Sequence, residues 1–291
     1  MGDIRYDGRV AVITGAGNGL GRSYARYLAA RGARVVVNDL GGGTDGEGND
    51  SRAADTVVAE IRGAGGEAVP NYDSVATAEG GESIVNTALE TYGRVDIVIN
   101  NAGILRDTSI PKMSSDNFDI LIDVHLKGAF YVTQPAFRVM KQNAYGRVLY
   151  TTSAAGLFGN FGQANYAAAK MGLVGLSSVT AIEGAKYNIR SNVIAPIART
   201  RLTEELMGAM GDAFAPEFIT PMVAYLVSEE CEYSHEIFNA GAGRYARVFV
   251  GSAPGWTAPD GETPDVEMIR DNLERISSTE GFTIPANAME A

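Results

Sequence analysis

The stretch Val12–Ser23, VITGAGNGLGRS, constrains the fold of this chain more than any other. A β-branched apolar run ends there, glycines follow at positions 15, 17, 19 and 21, and a helical pattern begins at once. Glycine permits a tight turn and close backbone approach, and the helix N-terminus aims free N–H groups at whatever enters the turn. The register does not fit G-x-G-x-x-G, which would need glycine at Leu20 or Arg22. It fits G-x-x-x-G-x-G as Gly15, Gly19 and Gly21, with Gly17, Asn18 and Leu20 between them. Taken alone, such a turn is compatible with nucleotide binding or with a purely structural role.

Beyond this turn the chain alternates short apolar runs with longer helical patterns. Strands are expected at 9–14, 34–39, 67–71, 95–100, 147–152 and 189–195, mostly as continuous apolar runs suited to burial on both faces. Helices are expected at 21–32, 52–62, 79–91, 115–141 and 163–186. Repeated β-α units imply right-handed crossovers and an α/β fold: a doubly wound parallel Rossmann sheet with helices on both faces. Ligands of such a sheet bind at the carboxyl ends of its strands. We expect one such domain over 1–245 and a C-terminal extension over 246–291, packed on the same domain or on a neighbouring subunit. The extension reads as a strand at 246–252 followed by a helix at 263–277. One segment interrupts the rhythm, the Gly- and Asp-rich insertion GGGTDGEGNDS at Gly41–Ser51. It reads as a surface loop, with contact to a ligand as the alternative.

Charge and rare residues exclude several functions. The formal net charge is −11, which argues against a nucleic-acid partner because phosphate backbones need clustered Lys and Arg. Small anions remain compatible, since loop amides bind phosphate without net positive charge. The single cysteine, Cys231, forms no intrachain disulfide and reads as a packed, inert thiol. With only two histidines, His125 and His235, a multi-histidine metal site is not expected, and no metal is assigned. The N-terminus lacks the apolar run of a secretory signal, and no run reaches the ~20 apolar residues of a membrane span. The C-terminal NAMEA has no Ser-Lys-Leu type of signal. The expectation is a free-standing cytoplasmic chain.

Three further features carry chemistry. Asp39 ends the second strand about twenty residues after the glycine turn, where an acid accepts hydrogen bonds from an adenosine ribose. It also repels a 2′-phosphate, and neither Leu40 nor Gly17 supplies a basic residue to attract one. Tyr166 and Lys170 stand four residues apart, one helical turn, so a phenol and an ammonium share a face. Ser153 lies a short distance upstream. An isolated Tyr-x-x-x-Lys is most often a surface pair. Here it follows a nucleotide-type turn and an acid at the second strand.

The motif T-G-x-x-x-G-x-G at Thr14–Gly21, NNAG at Asn100–Gly103, Ser153 and the Tyr166/Lys170 pair resemble the short-chain dehydrogenases/reductases in order and spacing. Within that family the runs VVVNDLGG, NYDSV, NNAGILRD, GNFGQANY and AIEG look like the (3R)-hydroxyacyl-CoA dehydrogenase units of type 2 peroxisomal multifunctional enzymes. The resemblance implies an NAD-dependent oxidation of a (3R)-3-hydroxyacyl thioester. Tyr166 would be the acid/base, Ser153 would hold the substrate oxygen, and Lys170 would bind the nicotinamide ribose. Asn101, Ala102 and Gly103 would line the cofactor, Asp73 and Ser74 would lie near the adenine, and Pro196 and Thr200 near the nicotinamide. The family commonly has Pro-Gly where this chain has Pro196-Ile197. Most members also have Asn where this chain has His125, which reads either as a fourth member of the catalytic group, its neutral imidazole taking over the polar role of Asn, or as a histidine satisfied by backbone carbonyls near the site. The resemblance further implies a homodimer or homotetramer. Oxidation of a steroid or other secondary alcohol, or a catalytically silent dinucleotide-binding module, are the alternatives.

Overall fold

The structure, a computed structural model, describes residues 2–48, 50–198 and 214–290. By contacts the chain separates into two compact units, Met1–Arg247 and Val248–Ala291. The first unit is built on an eight-stranded sheet. Its strands are β1 Val10–Thr14, β2 Arg34–Asn38, β3 Glu67–Asn71, β4 Ile97–Asn100, β5 Gly146–Thr151, β6 Ile189–Ile197, β7 Ile237–Gly241 and β8 Arg244–Val248. The spatial order is β3-β2-β1-β4-β5-β6-β7-β8, and neighbours from β3 through β7 run parallel. β7 and β8 are joined by Ala242 and Gly243 with φ of 48° and 76°, the positive pair that a two-residue hairpin requires.

Every residue of β1, β4 and β5 is buried, as continuous apolar strands covered on both faces should be. Ala11 and Ile13 of β1 share one core cluster with Val35, Val37, Ile97 and Ile99 from the strands beside it. Helix α1 (Gly19–Ala30) adds Tyr24 and Leu28 to that cluster, and α2 (Arg52–Gly63) adds Val57 and Ile61. Helix α3 (Ala78–Tyr92) is capped by the Thr77 hydroxyl, which accepts from the Gly80 N–H, and ends at Gly93 with φ 75°. The chain reverses its winding direction between β1 and β4, so a cleft opens beyond their carboxyl ends.

The expected helix over 115–141 forms in three pieces: α4 (Ser115–Leu121), a π-helical turn at Ile122–Lys127, and α5 (Gly128–Gln142). The π turn inserts one extra residue into the helical ladder and carries His125, a distortion that hydrophobic periodicity does not encode. Two elements were not legible in the sequence: β7, whose IFNAG is diluted by Asn and Gly, and the seven-residue helix Thr220–Leu226. The last strand begins at Arg244 rather than 246 and ends at Val248 rather than 252. In the second unit the expected helix breaks at Asn272 into Val266–Asp271 and Leu273–Ser277. There Phe249 stacks on Phe282 with ring centroids 5.4 Å apart, and Ser252 and Thr283 exchange backbone hydrogen bonds of 2.9 Å.

Candidate active site

The glycine turn is held against the end of β4. A Cβ on Gly15, whose φ is 63°, would sit 2.8 Å from the Ala102 Cα, and one on Gly21 would sit 2.3 Å from the Gly15 carbonyl oxygen. Asn101 locks the contact by donating its amide to the carbonyls of Thr14 (3.0 Å) and Gly15 (3.1 Å). The Thr14 hydroxyl in turn accepts the N–H groups of Asn101 and Ala102, each at 3.1 Å. The polar residues of TGAGNGLG and NNAG therefore bind each other and shape the floor between β1 and β4.

Asp39 stands at the next strand end, and both of its carboxylate oxygens are engaged by backbone. The Gly17 N–H donates to Oδ2 and the Gly41 N–H to Oδ1, each at 2.7 Å. The acid thus faces the glycine turn and anchors the start of the insertion. Asp73 is held by Asn71 (2.8 Å) and by the Ser83 hydroxyl (2.7 Å), beside Ser74 at the cleft wall.

On the far side of the cleft, β5 ends at Thr151 and Ser153 caps a short helix, α6 (Ala154–Phe158), by accepting from the Gly156 N–H at 3.0 Å. Gly156 is required by close packing, because a Cβ there would lie 2.5 Å from the Lys170 Cβ. Helix α7 (Ala164–Gly184) carries Tyr166 and Lys170 on one face. Its first turn is positioned by Asn165, which is fully buried and donates to the carbonyls of Arg106 (3.0 Å) and Asn117 (2.9 Å). Lys170 is buried and its ammonium donates to the Thr151 carbonyl at 2.7 Å. Burial pushes the Lys170 ammonium down to about 7. Burial also pushes the Tyr166 phenol up to about 12; a hydrogen bond with Ser153 opposes this and Asp107 adds to it. The Lys170 Nζ lies 5.5 Å from the centre of the Tyr166 ring.

His125 is 2% exposed and sits between these two halves. Its Nε2 lies 3.0 Å from the Ile104 N–H and 2.9 Å from the Ile104 carbonyl, so one tautomer accepts from the first and the other donates to the second. Its ring meets the Tyr166 ring edge-on, with centroids 5.4 Å apart. Burial, reinforced by Lys170, holds the imidazole well below its ordinary value, so it is neutral near pH 7. The Gly103 position tolerates no side chain, since a Cβ would lie 2.5 Å from the His125 Cε1.

These groups line one cavity of about 400 Å3. It brings together Gly15, Asn18, Gly19, Leu20 and Asp39 at one end with His125, Ser153, Tyr166 and Lys170 at the other. Asp73, Ser74, Asn101, Ala102, Gly103 and Pro196 lie along it. Gly17 and Gly21 shape the turn from behind, and Thr200 lies outside the described residues. Ile197, where the family commonly has glycine, also lines the cavity and ends β6. The sequence did not single out Asn160 and Gln163, which also line it. Gln163 donates to Asp107 at 2.6 Å and accepts from Asn160 at 3.0 Å. Cys231 is buried away from this cavity, as a packed thiol should be. Among the described residues no cluster of His, Cys, Asp and Glu could hold a metal ion.

The donor set and the space fit a dinucleotide. Side-chain-free glycines let backbone approach a diphosphate, the first turn of α1 offers free N–H groups, and a fixed carboxylate stands where a ribose would lie.

The model of the family described as short chain dehydrogenase matches residues 9–209. A short-chain type dehydrogenase/reductase of Mycobacterium tuberculosis is 49% identical over 277 residues, covering 95% of this chain and 96% of that protein. Peroxisomal multifunctional enzyme type 2 of mouse is 49% identical over 290 residues, 99% of this chain. This chain spans 39% of that longer relative's length. The solved structure of the full-length Drosophila melanogaster type 2 enzyme superposes with a TM-score of 0.82 at 41% identity, over 98% of this chain and 48% of the other. A short chain dehydrogenase from Mycobacterium avium gives the same TM-score and identity over 94% and 97% of the two chains. On its motifs, its cavity and these likenesses, the chain belongs to the short-chain dehydrogenase family.

Proposed function

We propose that the chain oxidises the 3-hydroxyl of a (3R)-3-hydroxyacyl-CoA, or a related thioester, to the 3-keto product, with NAD as the acceptor. The observation that carries this reading is the single cavity holding Ser153, Tyr166 and Lys170 at one end and the glycine turn with Asp39 at the other. Relatives named peroxisomal multifunctional enzyme type 2 and peroxisomal hydratase-dehydrogenase-epimerase support the substrate class.

When bound, the oxidised nicotinamide supplies the hydride acceptor. Tyr166 removes the proton of the substrate hydroxyl, and Ser153 donates a hydrogen bond to the oxygen on which charge develops. Lys170, held by Thr151, fixes the ribose, and its protonated fraction adds positive charge on the helix face that carries the phenol. His125 stays neutral, bonds the Ile104 backbone and packs edge-on against the Tyr166 ring. Gly15–Gly21 and Asp39 hold the pyrophosphate and adenosine ribose, and Asp39 disfavours a 2′-phosphate.

The reading includes a homodimer or homotetramer, supported by Phe130 of α5 and Met171, Val179 and Ile182 of α7, all at least 42% exposed. Light scattering at micromolar concentration is expected to give a dimer or larger, and a monomer rejects that part. The reading also places the enzyme in the cytoplasm, whereas several relatives are named as peroxisomal. No helix among the described residues is long and apolar enough to cross a membrane.

The test is NADH formation, followed by absorbance, across (3R)-3-hydroxyacyl-CoAs of increasing length, steroid alcohols and simple secondary alcohols. Turnover on the thioesters is expected. Efficient turnover on steroids alone favours the other substrate class, and binding of NADH with no turnover on any substrate identifies a silent module.

A further inference from the structure

The insertion after β2 is part of the cavity rather than an appendage to it. Asp39 takes the Gly41 N–H at 2.7 Å, and the Asp50 N–H donates to the Leu40 carbonyl at 3.2 Å, so the two ends of the insertion are drawn together. Gly41, at φ 78°, passes so close to Asp50 that a Cβ there would lie 2.1 Å from the Asp50 carbonyl oxygen. The tip folds on itself through Gly43 N–H to Glu47 carbonyl, 2.8 Å. It then reaches across the cleft. The Leu105 N–H donates to the Thr44 carbonyl at 2.9 Å, and the Arg106 guanidinium donates to the Asp45 carbonyl at 2.9 Å while lying 3.6 Å from the Glu47 carboxylate. Gly46 packs against Ile104, where a Cβ would sit 2.9 Å from the Ile104 Cδ1.

The insertion therefore runs from the acid at the end of β2 to the segment after β4, the two walls between which a dinucleotide lies in this fold. Gly42, Gly43, Thr44 and Gly46 line the cavity. Among the described residues the N–H groups of Gly42 and Thr44 and the Thr44 hydroxyl make no hydrogen bond. A built wall that offers unused donors beside a diphosphate-sized space is a ligand-binding surface.

We propose that Gly41–Gly48 is a dinucleotide-binding strap, whose Gly42 and Thr44 N–H groups and Thr44 hydroxyl donate to ribose and pyrophosphate oxygens while Arg106 fixes its tip. Arg106 is a positioning residue: it touches the strap and not the cofactor. Because the strap bridges the end of β2 and the segment after β4, it governs release as well as affinity. This inference rests on dinucleotide binding in the cavity, which the proposed function also requires.

The test uses the full chain and NADH as the probe. Hydrogen exchange is measured with and without NADH, and NADH affinity and dissociation rate are measured by fluorescence for the wild type, Thr44→Val and Arg106→Ala. NADH is expected to slow exchange at Gly42 and Thr44. Thr44→Val should weaken NADH binding about threefold to tenfold, the effect of losing one hydrogen bond. Arg106→Ala should speed NADH dissociation by a similar factor and lessen the protection of Gly42 and Thr44 at saturating NADH, with the Asn101–Gly103 amides still protected. A general loss of folding would remove protection everywhere. If the wild type binds NADH and oxidises hydroxyacyl-CoA, yet the strap amides exchange at the same rate with and without NADH and neither variant changes affinity or release, the strap is refuted alone. If the wild type binds no NADH, the strap and the proposed function fall together.

Discussion

Lys170 donates to the Thr151 carbonyl at 2.7 Å and is buried, an amine kept among backbone and apolar groups with no carboxylate partner among the described residues. Its site is set by chemistry at the expense of stability. With its folded value near 7 and an unfolded value near 10.5, the unfolded chain binds more protons between those limits. Stability contributed by this group therefore rises as pH increases from about 7 to about 10.5 and is least below 7. We expect Lys170→Met to abolish turnover yet raise the melting temperature at pH 7. The upper bound is about 5 kcal/mol, from a fall of 10.5 to about 7 at 1.36 kcal/mol for each pKa unit, reduced by the Thr151 carbonyl left unbonded. Thermal scans should show the gain shrinking toward pH 10. A variant no more stable than wild type at pH 7 contradicts the assignment.

Tyr166 has the opposite imbalance. Helical spacing puts the Lys170 ammonium on the same face as the phenol. In the structure Lys170 points to Thr151, and burial pushes Tyr166 up to about 12. Working as a base near pH 8 needs roughly 5 kcal/mol of relief from that value. One positive charge about 4 Å away at an effective dielectric of 20 supplies roughly 4 kcal/mol. With Lys170 at about 7 it is largely neutral at pH 8, so most of that relief comes from the positive nicotinamide, and the phenolate should form only with the cofactor bound. The wild-type minus Tyr166→Phe difference absorbance near 295 nm should show no tyrosinate below pH 11 in the free enzyme. With NAD bound it should titrate several pH units lower. Oxidation should fall on the acid side of that value, where the base gains its proton, and ketone reduction should fall on the alkaline side. A phenol titrating at the same pH with and without NAD would contradict this.

His125 reaches both polar atoms of Ile104 with a single nitrogen, and so satisfies only one of them in each tautomer. An Asn side chain has a donor and an acceptor and can satisfy both. His125→Asn is therefore expected to stay active. His125→Ala should lose about tenfold to a hundredfold in turnover, the lower range for a group supporting proton transfer. Because the imidazole is neutral over the working range, the Ala variant should show its loss uniformly from pH 6 to 9. Wild-type turnover in the Ala variant would remove His125 from the site.

Asp39 is fixed by two backbone N–H groups, so its negative charge is aimed rather than mobile. We expect kcat/KM to favour NAD over NADP by at least tenfold, each decade corresponding to about 1.4 kcal/mol. Asp39→Ala combined with Leu40→Arg should relax the preference. Asp39→Ala alone should weaken both cofactors, because it also releases Gly17 and Gly41. Equal efficiency with the two cofactors in the wild type would contradict the role of this carboxylate.

The sheet and the shared face of Tyr166 and Lys170 were legible because both are written locally. Continuous apolar runs mark buried parallel strands, and Tyr166 and Lys170 share a face by helical spacing alone. What escaped was set by contacts distant in sequence. Asn165 looks like any helix-start residue until its bonds to Arg106 and Asn117 are seen. The insertion reads as a surface loop because Gly and Asp disfavour regular structure. Its place in the cavity comes from Leu105 and Arg106, some sixty residues away. The π turn that carries His125 beside Gly103 is likewise absent from the hydrophobic periodicity.

The central claim, that Ser153, Tyr166 and Lys170 oxidise a (3R)-3-hydroxyacyl thioester with NAD, is tested most directly by one comparison. NADH formation is measured with the (3R) and (3S) forms of one medium-chain 3-hydroxyacyl-CoA, in the wild type and in Tyr166→Phe, with NADH affinity measured alongside. The account predicts turnover on the (3R) form in the wild type and at least tenfold less on the (3S) form. Tyr166→Phe should show no detectable turnover while its NADH affinity stays within about twofold, since only the proton-transfer group is removed. More than about a tenth of wild-type turnover in Tyr166→Phe, or no turnover on either form in a wild type that binds NADH, would contradict it.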